Sequence, residues 1–311
     1  MRTLIAALAL LASQATAQDA AQDAAQTMQD CDEMLAAAVT LSQVPVSTGP
    51  VKVTPEGWCR VTGIVIADDG PSAPVIEADV LEWRGTGLAD LVAGTGLPGT
   101  VEARVKGLRQ SIATSGVMGY VLRAQRARLG IDGTLALRWE AGENVLYLDG
   151  LTLDFPGDNS LRAQAVFAGL DLGDLERAQV SVMTGGVTDV SLLVEANGLF
   201  ETLLLSPLAN VLLSDDDPAA EAEALKAMAR AEIAALPETV FDAESRAALA
   251  VLVDDMPTPW GRFELSLRAA EPVGAPRFMR FVVMGGPMSR EDFWEAFAGV
   301  ILTVRYLPTP R

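Results

Sequence analysis

The sequence predicts a β-dominated α+β protein, built as an antiparallel curved meander sheet of many strands with an inserted α-helical hairpin. In several segments apolar and polar residues alternate one by one, which is typical of strands with one buried face. Short Gly/Asp/Asn clusters at 157–159 and 185–186 separate these segments, whereas helical periodicity is concentrated between about 217 and 254. Because turns rather than helices join the alternating segments, an antiparallel meander is favoured over βαβ units.

The alternation predicts individual strands along most of the chain. Its clearest case is 131–140, where apolar residues and glycine fall on one face: Ile131, Gly133, Leu135, Leu137 and Trp139. The same test predicts further strands at 101–106, 145–155, 161–167, 178–182, 190–195, 262–268, 278–284 and 301–306.

The predicted helical hairpin occupies about 217–254. Asp217 and Pro218 supply an N-cap and a first-turn proline, Pro237 ends the first helix, and Asp242 caps the second. We expect this hairpin to pack on the sheet or to cover its open edge. Two shorter helices are expected at 32–41 and 291–298.

A cleavable signal peptide is predicted at residues 1–17. Basic Arg2 precedes an apolar stretch from Leu4 to Ala12, and small residues at 15–17 form a cleavage site. The apolar stretch is about half the ~20 residues that a membrane-spanning helix needs. We therefore expect a periplasmic protein with no transmembrane segment after signal removal, organised as a flexible tether and a single β-rich domain at 18–30 and 31–311.

The two cysteines, Cys31 and Cys59, are predicted to form a disulfide. An oxidising compartment favours a structural bridge. The cysteines are 28 positions apart, which excludes a Cys-x-x-Cys redox motif. We expect the bridge to hold the segment after residue 30 against a strand near Trp58.

Composition excludes several kinds of function. The chain has no histidine, so a Ser-His-Asp triad, a Cys-His dyad and a Cys/His zinc site are all excluded. It carries 23 basic and 41 acidic residues, a net charge of −18, which argues against nucleic-acid binding. No cofactor, no metal site and no catalytic residue is predicted.

Two patterns, one glycine-rich and one acidic, have simpler interpretations than a site. Residues 94–99 match G-x-G-x-x-G, but Pro98 and the strand that follows favour a plain glycine turn. Residues 215–217 are three aspartates, which we interpret as helix capping rather than as calcium ligands. A carboxylate-dependent exported hydrolase stays open as an alternative, with two candidate acid pairs: Glu140 with Glu143, and Asp149 with Asp154.

The strand at 145–155 is apolar on both faces over part of its length, and it carries the hypothesis of a ligand groove. Simple alternation places Leu146 and Leu148 on one face and the proposed groove residues on the other: Val145, Tyr147, Leu151, Leu153 and Phe155. Two buried faces follow from this pattern. Either the helical hairpin covers the second face as core, or a concave sheet lines a groove for an apolar ligand.

Glycine-leucine strands recur between about Leu129 and Leu199, at 132–135, 149–153 and 168–172. On an exported β-rich chain they resemble the AsmA-like envelope proteins and related uncharacterised exported β-repeat families of Gram-negative bacteria. The resemblance implies a long curved sheet with an apolar groove, a role in lipid handling or envelope assembly, and no catalytic residues.

We therefore expect a periplasmic, non-enzymatic binding or scaffold protein that holds a lipid or an envelope protein on a concave apolar sheet. A protein–protein interaction module without a groove is the other alternative to the hydrolase. That module would present a flat, exposed apolar patch instead.

Overall fold

A computed structural model describes residues 29–36, 39–40, 45–67, 74–87, 90, 96–112, 117, 120, 129–203, 205–214, 217–283 and 289–310. The predicted fold class is confirmed: β-strands dominate the part of the chain that the structure describes, and they form one large open antiparallel sheet accompanied by several helices. The predicted signal peptide and residues 18–28 of the predicted tether lie outside the described part. Residues 29 and 30, assigned to the tether, already belong to a helix.

Eleven strands within the described residues form this sheet. From β3 to β11 each strand pairs with the next one along the chain, while β1 and β2 both pair with the outer edge of β3. The strands are β1 (Val46–Ser47), β2 (Lys52–Val53), β3 (Cys59–Ala67), β4 (Pro74–Thr86), β5 (Thr100–Ile112), β6 (Ile131–Glu140), β7 (Val145–Phe155), β8 (Asn159–Ala168), β9 (Gly186–Asn197), β10 (Trp260–Val273) and β11 (Val300–Pro308).

The helices precede the sheet or interrupt it at its turns. They are α1 (29–36), α2 (Leu175–Thr184), α3 (Leu199–Leu203), α4 (Leu205–Leu212), α5 (Pro218–Ala234), α6 (Ala243–Asp255), α7 (Ala275–Val283) and α8 (Arg290–Glu295). Helices α5 and α6 confirm the predicted pair at 217–254, and α8 confirms the short helix near the carboxyl end. The Asp217 carboxylate accepts from Ala220 N, as predicted for an N-cap, whereas residues 215 and 216 lie outside the described part.

Two predicted strands are wrong, because 178–182 and the described part of 278–284 are helical. In α2, Ala178 and Ser181 are buried whereas Val180 and Val182 are exposed, so burial follows a period of three and not of two. Asp174 starts this helix by accepting from Arg177 N. Three alternating residues were too short a run to distinguish the two periods.

The sequence pattern missed strand β4, because alternation changes phase in its middle. Ala78 and Leu81 are three residues apart, yet both pack in one apolar cluster with Val61 and Ile64 of β3. Strand β5 has a related irregularity, because it gains one residue relative to β6 between Val105 and Leu108. Both kinds of phase change exchange the faces that follow them, so a strand loses its simple alternation.

The predicted disulfide is confirmed and anchors the amino-terminal edge of the sheet. Cys31 in α1 and Cys59 at the start of β3 are bonded, with their Cα atoms 5.6 Å apart. Both are buried together with Val51, and Leu35 and Trp83 pack against them. The bridge therefore holds α1 on the sheet, as the sequence predicted.

At the other edge, a turn and the segments before and within α6 accept three outer N–H groups of β11. Val300 N donates to Phe297 O (3.0 Å), and Leu302 N donates to Val240 O (2.8 Å). Val304 N donates to the hydroxyl of Ser245 in α6 (2.9 Å). A strand edge with these donors engaged is a poorer template for pairing with another chain.

Removing the disulfide by Cys31→Ser with Cys59→Ser should lower the free energy of unfolding by about 3–4 kcal/mol, because a loop of this length is no longer closed in the unfolded chain. Urea denaturation measures the loss. A reducing agent should shift wild type to the midpoint of the double variant and leave the variant unchanged. Equal midpoints for oxidised wild type and variant would contradict this account.

Ser245→Ala should cost about 1–3 kcal/mol, because Val304 N–H is then left buried without an acceptor. Amide hydrogen exchange at Val304 should accelerate as well. Ser266→Ala, on the polar side of β10, is the matched control and should be close to neutral. If the two alanine variants unfold at the same urea concentration, the edge bond contributes nothing.

The same serine gives the edge a pH dependence. Hydrogen bonds from the Ser245 side chain and backbone hold the pKa of Asp242 below its ordinary value. The ionised carboxylate therefore adds stability above the unfolded pKa of about 3.9, and this stability is lost as pH falls through the lower folded pKa. In Ser245→Ala the acid-side decline in urea midpoint should be shallower than in wild type.

Candidate functional site

The register of the sheet sorts its central side chains onto two chemically different faces, because directly paired residues on neighbouring strands share a face. Two rows of small or apolar residues cross strands β6 to β11 without interruption. One row is Leu137, Leu148, Ala165, Val190, Leu267 and Leu302, and the other is Leu135, Leu151, Ala163, Leu192, Leu265 and Val304. We call the face that carries these two rows the apolar sheet face.

A one-residue bulge in β7 is what brings its leucines together on this face. Leu148 pairs with Leu137 and Leu151 pairs with Leu135, so Asp149 and Gly150 together stand where a regular strand has one residue. The same shift occurs against β8. An extra residue reverses the alternation beyond it. Residues 146 and 148 therefore share a face with 151, 153 and 155.

This bulge corrects the predicted groove set. Leu151, Leu153 and Phe155 lie on the apolar sheet face, but Val145 and Tyr147 lie on the opposite one. Leu146 and Leu148, which simple alternation had put on the other side, take their places. Hence β7 does not have two fully apolar faces.

The opposite side, which we call the polar sheet face, is held by ion pairs and stacking. The guanidinium of Arg138 lies over the Tyr147 ring, 4.1 Å from its centroid, and binds the carboxylates of Asp149 and Glu140. The hydrogen bond to Asp149 is the main cause that raises the pKa of Arg138. A shallow cavity of about 360 Å³ lies on this face, lined by Tyr147, Gln164, Asp189, Ser191, Ser266 and Arg268 among others.

A similar arrangement holds the polar face near the disulfide. Two guanidinium groups lie against the ring of Trp58, that of Arg84 at 4.4 Å and that of Arg104 at 4.0 Å from its centroid. Arg84 also binds the carboxylate of Glu102 at 2.7 Å. Charged residues on this side are thus largely neutralised by neighbours on adjacent strands, as on a solvated face.

Burial on the apolar sheet face is uneven. Among the described residues, the buried apolar clusters lie at the two ends of the sheet, around Val61 and around Val304. No cluster member comes from β6 to β9, where the leucines of both rows are half-buried. The described part of the chain therefore leaves a contiguous apolar surface over the central strands.

Close packing within this surface keeps it smooth. A Cβ atom on Gly133 would lie 3.0 Å from Leu153 Cδ2 and 3.1 Å from Val105 Cγ1, so the two side chains close over the glycine from both neighbouring strands. A larger residue there would push these side chains apart. Glycine at 133 thus allows an even apolar layer across β5, β6 and β7.

The candidate acids of a hydrolase are placed differently from one another. Asp149 and Glu140 both bind Arg138, which keeps each carboxylate in an ion pair on the polar sheet face. Glu143 lies in the exposed turn after β6, and Asp154 is exposed on β7. In the parts of the chain that the structure describes, no cluster of three or more acids or cysteines has the geometry to hold a metal ion.

The chain matches no family model, and a search of curated proteins finds no significant match. Among the described helices, none has both the length and the apolar character needed to span a membrane.

Adjacent positions in β7 distinguish the two face assignments. Leu146→Lys should place a charge on the apolar sheet face and lower the free energy of unfolding by about 1 kcal/mol or more, whereas Val145→Lys, beside Glu140, should be close to neutral. Urea denaturation of both variants measures this difference. The reverse order would mean that β7 alternates without a bulge.

Proposed function

We propose that this protein is an exported, non-enzymatic binding protein that holds the acyl chain of a lipid on its apolar sheet face. The observation that carries the proposal is the pair of uninterrupted apolar rows across β6 to β11, half-buried over the central strands. Contiguous apolar surfaces that the chain itself does not fully bury often mark binding sites in soluble proteins. A flexible acyl chain fits a long, smooth apolar layer better than a compact polar ligand does.

The charge distribution supports a single lipid molecule rather than a membrane surface as the partner. The net charge of −18 repels anionic bilayers. The polar sheet face carries ion pairs such as Arg84–Glu102 and Arg138–Asp149, and these lie on the opposite side of the sheet from the apolar rows. An extracted lipid would therefore lie on one side of the sheet while the other side stays in water.

Two features support a periplasmic location. Residues 1–17 have the pattern of a cleavable secretory signal. The Cys31–Cys59 disulfide fits an oxidising compartment. The resemblance of the glycine-leucine strands to AsmA-like proteins agrees with lipid handling in the cell envelope.

Photocrosslinking in living cells tests this proposal at two neighbouring positions. A benzophenone amino acid replacing Leu153 would lie on the apolar sheet face, and the same group replacing Thr152 would lie on the polar face. We expect mass spectrometry to find a lipid adduct at 153 and none at 152. A protein adduct at 153 would favour the interaction-module alternative, and an absence of lipid adducts at 153 would refute the proposal.

A further inference from the structure

An apolar cavity, separate from the sheet, lies between helix α4 and the helices α5 and α6. Its free volume is about 300 Å³, and it is lined by Leu208 and Leu212 of α4, Leu225 and Ala229 of α5, and Val253 of α6, among others. We call it the helical groove. On α4 the side chains of Leu208 and Leu212 are 40% and 54% exposed, so this wall is open to solvent.

Lys226 is the one charged residue among those that line the helical groove. Its side chain is only 17% exposed, whereas its ion-pair partner Glu223, whose carboxylate lies 3.1 Å from Nζ, is 67% exposed. The aliphatic stem thus lies along the apolar wall while the ammonium group reaches the rim, as long basic side chains do at apolar surfaces. The helical groove therefore has apolar walls and a positively charged group at its rim.

We propose that the helical groove binds a single-chain amphiphile with an anionic head group, such as a fatty acid, whose head group pairs with Lys226. The alkyl chain would occupy the apolar walls. A volume of about 300 Å³ is at the lower limit of small-molecule sites, which suits one chain rather than a two-chain lipid. This proposal does not depend on lipid binding by the apolar sheet face.

The Lys226–Glu223 pair shows where the head group would sit. A carboxylate already lies 3.1 Å from the ammonium, so the position accepts an anion. Ion pairs between side chains three or four positions apart on one helix contribute little, about 0.2–0.5 kcal/mol, and the Glu223 partner is largely exposed. A ligand carboxylate that arrives with a buried alkyl chain can therefore displace Glu223 at small cost.

The acidic character of the chain does not prevent an anionic amphiphile from binding in the helical groove. The net charge of −18 is spread over the molecule. At physiological ionic strength, interactions between exposed charges are screened beyond about 8 Å. A monovalent amphiphile at the groove rim therefore responds mainly to Lys226 and its immediate neighbours.

Calorimetric titration of the mature protein with dodecanoate and with dodecanol, both below their aggregation concentrations, tests the proposal. We expect Lys226→Gln to weaken dodecanoate binding about tenfold, because a charge-assisted contact is lost. Dodecanol binding should change much less. Glu223→Gln removes the competing carboxylate from an exposed position and should strengthen dodecanoate binding. Lys52→Gln, an exposed lysine on β2, is the matched control and should leave both affinities unchanged.

Ala229→Trp fills the groove and should abolish the part of dodecanoate binding that depends on Lys226. Dodecanoate binding that persists in this variant and is unaffected by Lys226→Gln would belong to another site, such as the apolar sheet face. Three results would overturn the proposal: no dodecanoate binding by wild type, equal losses for acid and alcohol in Lys226→Gln, or weaker acid binding in Glu223→Gln. Circular dichroism confirms that each variant is folded.

Discussion

The antiparallel hydrogen-bond ladder determines most of this structure, because it assigns every side chain from β3 to β11 to one of two faces. Directly paired residues share a face, so the side-chain orientation on one strand determines the orientation on all strands paired with it. Where one strand gains a residue, as at Asp149, all side chains beyond that point change sides. The apolar rows across β6 to β11 exist because these local shifts keep the leucines of neighbouring strands in phase.

An open sheet of this size also has two exposed edges, and the protein protects them by different means. At the amino-terminal edge, short strands β1 and β2 pair with β3 while the disulfide holds α1 against the same strand. At the other edge, Ser245 and Val240 accept the outer N–H groups of β11. The buried apolar clusters lie at these two ends, which leaves the central strands of the apolar sheet face half-buried and available for a ligand.

The sequence predicted the features that repeat and missed those that depend on one residue. Alternation in 131–140 and 262–268 identified β6 and β10, because nothing interrupts the period there. It failed in β4, whose phase changes between Ala78 and Leu81, and at 178–182, where only three positions carried the signal. The disulfide was predictable because only one pairing is possible between two cysteines.

For the candidate site too, the sequence predicted the repeating feature and missed what depends on single residues. The sequence identified β7 as unusually apolar, and three of its five proposed residues lie on the apolar sheet face. Val145 and Tyr147 do not, because a bulge at Asp149 and Gly150 has no reliable signature in a single sequence. Likewise, Lys226 appears in the sequence only as a helix residue, and its place in an apolar groove depends on how α4 packs beside α5 and α6.

Native mass spectrometry of the protein released gently from the periplasm, with organic extraction of bound molecules, tests whether the apolar sheet face holds a lipid. The measurement compares wild type with two variants. Leu192→Glu places a charge in an apolar row, and Ser191→Glu places the same charge on the polar sheet face. We expect a lipid in defined ratio on wild type and on Ser191→Glu, and its loss from Leu192→Glu. A wild-type mass without ligand, or equal lipid on all three proteins, would contradict it.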